Sequence, residues 1–390
     1  MRAFHIASHC IVAIVLAACG DTLGNPIGLA PEPAGSSGSS GGSSGSSGGS
    51  SGGTDSGTTS GGGDAGAGQD PMLVVASSLG VLAWRDAKGI TTDVAPDVVI
   101  AAGSMLAVTS IADRVYLSKG EPGRVDGSLL RFDGARSLTS ASAPAMTIAV
   151  SKPATRLLGS EAADSLFGVQ PLGDANRWSS PATLTSGSAP AATFHHPYGQ
   201  LAGIALDAPS GRLFLGQTSG AGLLAWNAAA TRTGTPPFDL KVHGGAYWAM
   251  QIADHRLYAA SGASPGVAIW SDPAALGGAE TPIVLTTGYD PKFISDLVVR
   301  NDVLLVAARD QGKVFVYLGA SAITADRAPT FTLSHPAMTR PSRLAVDAKG
   351  RLYVADEDGV VVFRDIATNP TYVTELRAGV AEPRDLTIVE

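Results

Sequence analysis

Apolar and polar positions alternate in short runs along most of this chain, and the runs recur. From Arg343 to Asp365 (RLAVDAKGRLYVADEDGVVVFRD) a strand holding Leu344 and Val346 leads to a turn at Asp347-Ala348-Lys349-Gly350. A second strand follows from Leu352 to Ala355, a polar turn ends in Gly359, and a third strand closes on Phe363. Alternation with period two, bounded by Gly and Asp turns, predicts an antiparallel meander. Leu73 to Trp84 (LVVASSLGVLAW) aligns without a gap on Leu352 to Phe363 (LYVADEDGVVVF), so the second and third strands of the pattern also stand near the start. The first strand missing from that copy lies at the other end, where Pro383 to Glu390 (PRDLTIVE) aligns on Pro341 to Ala348 (PSRLAVDA). Between them stand RVYLS at Arg114, RLLGS at Arg156, RLFLG at Arg212, RLYAA at Arg256 and VLLVA at Val303, which makes seven second strands in all. The unit is roughly 45 residues long.

Third strands carry an aromatic two residues after another apolar side chain: Leu82 and Trp84, Leu130 and Phe132, Leu224 and Trp226, Ala268 and Trp270, Phe315 and Tyr317, Val361 and Phe363. The repeat at Phe167 has Val169 instead. A spacing of two puts both side chains on one face of a strand, and once-per-repeat regularity assigns them to the space between neighbouring sheets rather than to a stacking platform for ligands. Weaker fourth strands are read at Asp93 to Ile100, Pro282 to Leu285, Thr330 to Leu333 and Tyr372 to Leu376. Four strands in each of seven units predict an all-β, seven-bladed β-propeller over 71–390. Blade 1 closes by pairing the C-terminal strand with the one at Leu73, which leaves no open seam. The alternative is six blades, with Met146 to Leu184 as an irregular insertion.

With 390 residues, 16% charged, 48 Gly and 24 Pro, the composition suits many short strands joined by turns, and long helices are not expected. The net charge of −7 contains no basic run, which argues against a nucleic-acid partner. The folded part is preceded by a Gly/Ser-rich stretch at 19–70, whose centre cannot bury enough apolar area to offset its conformational entropy and reads as a disordered tether. Such a coil of fifty or so residues spans about 40 Å in root mean square. Residues 1–18 carry Arg2 and then an apolar core from Ile11 to Ala17, too short for a permanent transmembrane helix. Leu16-Ala17-Ala18-Cys19-Gly20 resembles the lipobox of bacterial lipoproteins, which implies a signal peptide cleaved before Cys19 and lipidation of that cysteine. An ordinary secretory peptide cut near Ala18 is the alternative. The lipobox implies a cell-envelope, extracytoplasmic protein held to a membrane by lipid, with the outer membrane expected from Gly20. Cys10 lies in the signal segment, so no disulfide is expected after cleavage.

LAVDAKGRLYVADEDGVVVF is similar to the NHL-type repeat and its relatives among extracytoplasmic bacterial propellers, most closely in the last blade. That resemblance implies the propeller fold and leaves function open, because propellers host enzymes, receptors and scaffolds.

The residues themselves favour a non-catalytic binding or scaffolding module, with a lactonase-like or other small-molecule hydrolase as the alternative. No GxSxG string is read as a strand-to-helix nucleophile elbow, no HExxH helix or Walker loop is present, and no cofactor is expected. Asn176, Asn227, Asn301 and Asn369, the asparagines of the folded region, read as outer connections and turns rather than as channel residues. Arginine opens five second strands (Arg114, Arg156, Arg212, Arg256, Arg351), usually just after an aspartate. This is either a cationic ring for an acidic ligand or, as favoured, a turn-spanning pair. His195, His196, His243 and His335 fall in loops entering first strands, and His255 in a hairpin turn. Three blades could in principle bring imidazoles to a metal at the channel mouth, but no metal site is assigned. The same loops carry Tyr198, Tyr247, Trp248, Tyr289 and Asp290, an aromatic and polar rim of the kind that binds a protein or small-molecule ligand. Tyr198, Trp248 and Tyr289 are the expected anchors.

Overall fold

A computed structural model describes residues 70–390 apart from 122, 219, 221, 262–265 and 288–292. The expected signal peptide, Cys19 and the expected tether, with Tyr289 and Asp290, therefore lie outside the described residues. The rest forms seven four-stranded antiparallel sheets, and each sheet has its strands in chain order except where the termini meet. In blade 1 the C-terminal strand Pro383–Val389 pairs with Met72–Ser77, with Met72 opposite Val389 and Val75 opposite Leu386, and Val81–Trp84 and Val98–Ile100 complete the sheet. The architecture is thus a seven-bladed β-propeller closed by one strand from the end of the chain and three from its beginning. First strands of successive blades touch in turn, and the ring returns from the seventh blade through Pro383–Val389 to Met105–Ile111 of the second.

Stacking of sheets explains why the second strands are apolar on both sides. Met72–Ser77 and Val303–Ala308 are buried at every position, since each strand has a neighbouring blade against either face. The third-strand aromatics fill the wedges between blades: Trp84, Phe132, Trp226, Trp270, Tyr317 and Phe363 are all buried. Each such side chain contributes about 2–3 kcal/mol of transfer free energy. Tight hairpins at Asp254-His255 and Asn301-Asp302 place both central residues at positive φ, the type I′ pattern that follows strand twist.

Two expectations need correction. Blade 3 is shifted by one strand: Arg156–Ser160 is its first strand, Ser165–Val169 its second, and Asp174–Ser179 its third, with Trp178 as the missing aromatic. Met146 to Leu184 is thus the fourth strand of blade 2 and the first three strands of blade 3, not an insertion, and Asn176 sits within the third strand of blade 3, buried and accepting the Thr193 hydroxyl at 2.8 Å. RLLGS imitates the second strands of other blades, whereas the true second strand, SLFGV, lacks the opening arginine.

The arginine series is neither a ligand ring nor a set of turn pairs. Arg351 donates through one nitrogen to the carbonyls of Ala87 (3.2 Å) and Ile90 (2.8 Å) in blade 1; Arg212 of blade 4 reaches Pro273 and Leu276 in blade 5; Arg256 of blade 5 reaches Ile323 in blade 6. Blades 2 and 3 make the same junction from third strands, with Arg131 on Pro181, Ala182 and Leu184 and Arg177 on Ala230 and Arg232. Arg85 reaches Leu138 from blade 1 to blade 2. The aspartates serve their own turns: Asp347 accepts the amides of Lys349 and Arg351. A guanidinium thus satisfies carbonyls of the next blade that no strand can reach, and hydrogen bonds of this charged kind contribute about 1.5–3 kcal/mol. Arg114 differs, pairing with Asp133 at 3.2 Å on a half-exposed surface. Replacing Arg351 with Met should lower stability by about 2 kcal/mol in denaturant melts, while Arg114→Met should cost under about 1 kcal/mol.

Candidate functional site

All first strands run in the same direction, so their opening residues gather at one end of the axial channel, called here the upper face. Four blades deliver a charged side chain to that end: Arg156 from blade 3, Asp296 from blade 6, Arg343 from blade 7 and Asp385 from blade 1. Arg156 crosses the ring, its guanidinium bonding one Asp296 oxygen at 2.9 Å and the Ser295 carbonyl at 3.1 Å. The other Asp296 oxygen accepts the Leu344 amide at 2.9 Å. Asp385 accepts the amides of Val108 (2.9 Å) and Leu386 (3.0 Å) and lies 3.5 Å from Arg343 Nε. These inner charges are mostly withdrawn from water; the Asp296 side chain is 8% exposed and that of Asp385 13%. Burial pushes Asp385 up to about 6, against the pull of Arg343 and the Val108 amide. Burial also draws Arg343 below the ordinary arginine value.

Beside these charges stands an aromatic wall. Trp248, second residue of the blade 5 first strand, meets Phe293 edge-on at 4.7 Å, and the Arg309 guanidinium lies 5.9 Å from the Phe293 ring centre. Sequence reasoning missed all of this mouth except Trp248. Arg156 was read in the wrong strand, and nothing local to Asp296, Arg309, Arg343 or Asp385 says that they converge.

The histidines do not converge. His195 ends the outermost strand of blade 3, exposed and hydrogen-bonded through Nδ1 to Asp174 at 2.8 Å. His335 stacks on Tyr372 of the outer strand of blade 7 at 3.6 Å, and His243 bonds the Tyr247 hydroxyl at 2.7 Å. Loops enter the first strands from the rim, so these rings remain at the periphery. Among the described residues no group of three His, Cys, Asp or Glu side chains could hold a metal. His196 and Tyr247 are 1% and 3% exposed and pack beneath their loops. Tyr198 is 51% exposed, its ring meeting His196 edge-on with Lys241 Nζ at 5.9 Å.

Burial holds the His196 imidazole down at about 4. A histidine that the fold keeps neutral costs stability as pH falls from the unfolded value near 6.5 towards 4, by about 3 kcal/mol in total. Asp385 runs the other way. Its raised pKa favours the fold below about 4, and that contribution is lost as pH rises through 6. Unfolding free energies from pH 4 to 7 should therefore show His196→Asn gaining on the wild type as pH falls, and Asp385→Asn gaining as pH rises. Parallel curves for both variants would contradict these assignments.

One further feature of the upper face was not foreseen. The loops joining second to third strands carry an exposed aliphatic tip in three successive blades: Leu79 (60% exposed), Val125 (74%) and Leu172 (56%). With Tyr198 they make a discontinuous apolar arc over blades 1 to 4, while the corresponding loops of blades 6 and 7 present Asp310, Glu357 and Asp358. The available signal was an aliphatic residue at a hairpin tip, where turn chemistry calls for a polar one. Asp70, the first described residue, enters blade 1 from the opposite, lower face, because it leads into a second strand.

No family model and no curated protein matches the sequence. Solved structures do match in shape. A putative 6-phosphogluconolactonase from Bacteroides uniformis superposes with a TM-score of 0.66 at 12% identity, over 82% of this chain and 99% of its own. A second putative 6-phosphogluconolactonase, from Bacteroides fragilis, gives 0.65 at 12% over 83% and 99%. A protein from Lactobacillus plantarum gives 0.65 at 15% over 83% and all of its own length. At these identities the likeness shows the fold alone: the chain is a seven-bladed β-propeller.

Proposed function

We propose that this chain is an extracytoplasmic lipoprotein, anchored through Cys19, whose propeller recognises another envelope protein through its upper face. The observation that supports it best is the exposed arc of Leu79, Val125, Leu172 and Tyr198 on the face opposite the one where the chain enters from the tether side. Large apolar tips on rigid hairpins bury area on contact at little entropic cost. His195, Trp248 and His335 belong to the same face in this reading. Two experiments test it. Metabolic labelling with an azido fatty acid should mark the wild type and not Cys19→Ser; label retained by the variant would remove the anchor. Partner capture in the native envelope should fall at least tenfold when Leu79, Val125 and Leu172 are changed to Ser together, with the melting temperature kept within a few degrees. Undiminished capture would remove the arc from the contact.

A second reading, small-molecule hydrolysis of the lactonase kind, is favoured by the names of the two Bacteroides structures and by Asp385. A shielded carboxyl near pH 6 is suited to general-base work. Hydrolysis of a sugar lactone by wild type but not by Asp385→Asn would support it.

A further inference from the structure

We infer that the upper mouth of the channel is a binding site for a small organic anion, a carboxylate or phosphate monoester carried on a ring, seated between Arg309, Arg343 and Trp248. The inference concerns the channel mouth, not the rim that carries the protein contact proposed above, and stands independently of it.

The first ground is charge. The charged side chains that act on Arg343 are Arg156, Arg309, Asp296 and Asp385, so three guanidiniums face two carboxylates. Arg156 is matched with Asp296 at 2.9 Å and Arg343 lies 3.5 Å from Asp385. Arg309 is left over. Among the described residues its guanidinium makes no hydrogen bond or ion pair, and its contact is with the face of Phe293. A half-buried cation without a counter-ion is an unusual feature in a folded chain and favours an incoming anion.

The second ground is hydrogen bonding. Among the described residues three buried N–H groups at this mouth make no hydrogen bond: Arg309 Nε, Trp248 Nε1 and Arg343 Nε, the last with Asp385 beside it at 3.5 Å. All three are donors, so what completes the site must be rich in acceptors, as carboxylates and phosphates are. Rigid strands hold two of them, Arg343 opening the blade 7 first strand and Trp248 near the start of the blade 5 first strand, and Arg309 begins a short 3-10 turn whose amide bonds the Phe293 carbonyl at 2.9 Å. The donors are therefore fixed before a ligand arrives, which limits the ordering cost of binding.

The third ground is shape. The Trp248–Phe293 pair gives the site an aromatic wall beside its cations. An anionic group on a flat or saccharide ring can stack there while its oxygens meet the guanidiniums, whereas a bare inorganic ion uses only half of the site.

Titration of the full-length protein, followed by tryptophan fluorescence and thermal shift, tests this with glucuronate, benzoate and inorganic phosphate, and with glucose as the neutral control. Saturable binding of glucuronate or benzoate in the low millimolar range or below, at least fivefold tighter than phosphate and absent for glucose, is expected. If phosphate binds as tightly as the ring-bearing anions, the ring-recognition part of the inference fails. Arg309→Gln removes a side chain whose guanidinium makes no hydrogen bond or ion pair among the described residues, so it should leave the melting temperature within a few degrees of the wild type and weaken binding at least tenfold. Trp248→Phe should remove a smaller part of the affinity. Absence of saturable binding by any of the three anions, or wild-type affinity in Arg309→Gln, would overturn the assignment.

Discussion

Deleting Asp385 to Glu390 should abolish the cooperative unfolding transition or move it down by tens of degrees. The strand removed supplies the inner edge of blade 1, pairing with Met72–Ser77 from Met72 opposite Val389 to Ala76 opposite Asp385. Its loss would uncover Met72, Val74 and Ala76, which are fully buried with Val389 in one cluster, and Leu73 and Val75, which share another with Leu386. Burial of Leu386 and Val389 alone contributes about 4 kcal/mol. The deletion also strands the Val108 amide, the Ser110 hydroxyl that donates to the Ile388 carbonyl at 3.2 Å, and the Arg300 and Ala348 groups held by Glu390. Those costs together approach the 5–15 kcal/mol that a domain has in reserve. A truncated protein that melted with wild-type midpoint and cooperativity would show that the ring closes elsewhere. Circular dichroism and differential scanning calorimetry on the two proteins decide it.

The second large effect should come from the bond that crosses the channel. Arg156 and Asp296 sit on blades that are not neighbours, and their side chains are 17% and 8% exposed. Removing one partner leaves the other charge shielded and unpaired, which costs about 3–5 kcal/mol in comparable settings. Arg156→Met should thus destabilise by about 3 kcal/mol, and Asp296→Asn by a similar amount, because the Arg156 guanidinium loses its carboxylate. The double variant should recover at least half of the summed loss, since it removes both charges together and an asparagine oxygen can still take the Leu344 amide. Strict additivity in the double-mutant cycle would mean that the two side chains do not interact across the ring.

Most of the ring was legible because a propeller repeats its physics. Each unit needs a doubly buried second strand, an aromatic wedge and a tight turn, and the Leu352 to Phe363 pattern returns at Leu73 with all three. Blade 3 escaped for a specific reason. Its third strand, DANRWS, buries Asn176 and Arg177 by satisfying them with Thr193 and with carbonyls of blade 4, so it reads as polar. The inter-blade arginines were visible as a series but not in role, because their acceptors are backbone carbonyls, which leave no mark in a sequence.

The channel mouth was illegible for a topological reason. Residues 156, 296, 343 and 385 meet only because the ring has seven members, and each alone is an ordinary charge at the start of a strand. Local patterning cannot reveal a contact between blades 3 and 6. The rim histidines show the converse. His196 and His335 do lie in the entering loops, whereas His195 and His243 end fourth strands, and because such a loop begins at the outer strand, His243 and His335 rest against Tyr247 and Tyr372.

A photo-crosslinking residue placed in turn at Leu79, Val125 and Lys349, in cells of the native organism, tests most directly which face of the propeller meets the proposed partner. Leu79 and Val125 stand on the upper face, and Lys349 lies in the turn between first and second strands on the lower one. Light-dependent adducts of one defined mass from Leu79 and Val125, with none from Lys349, are the expected result. An adduct from Lys349 with none from either upper position would contradict the account.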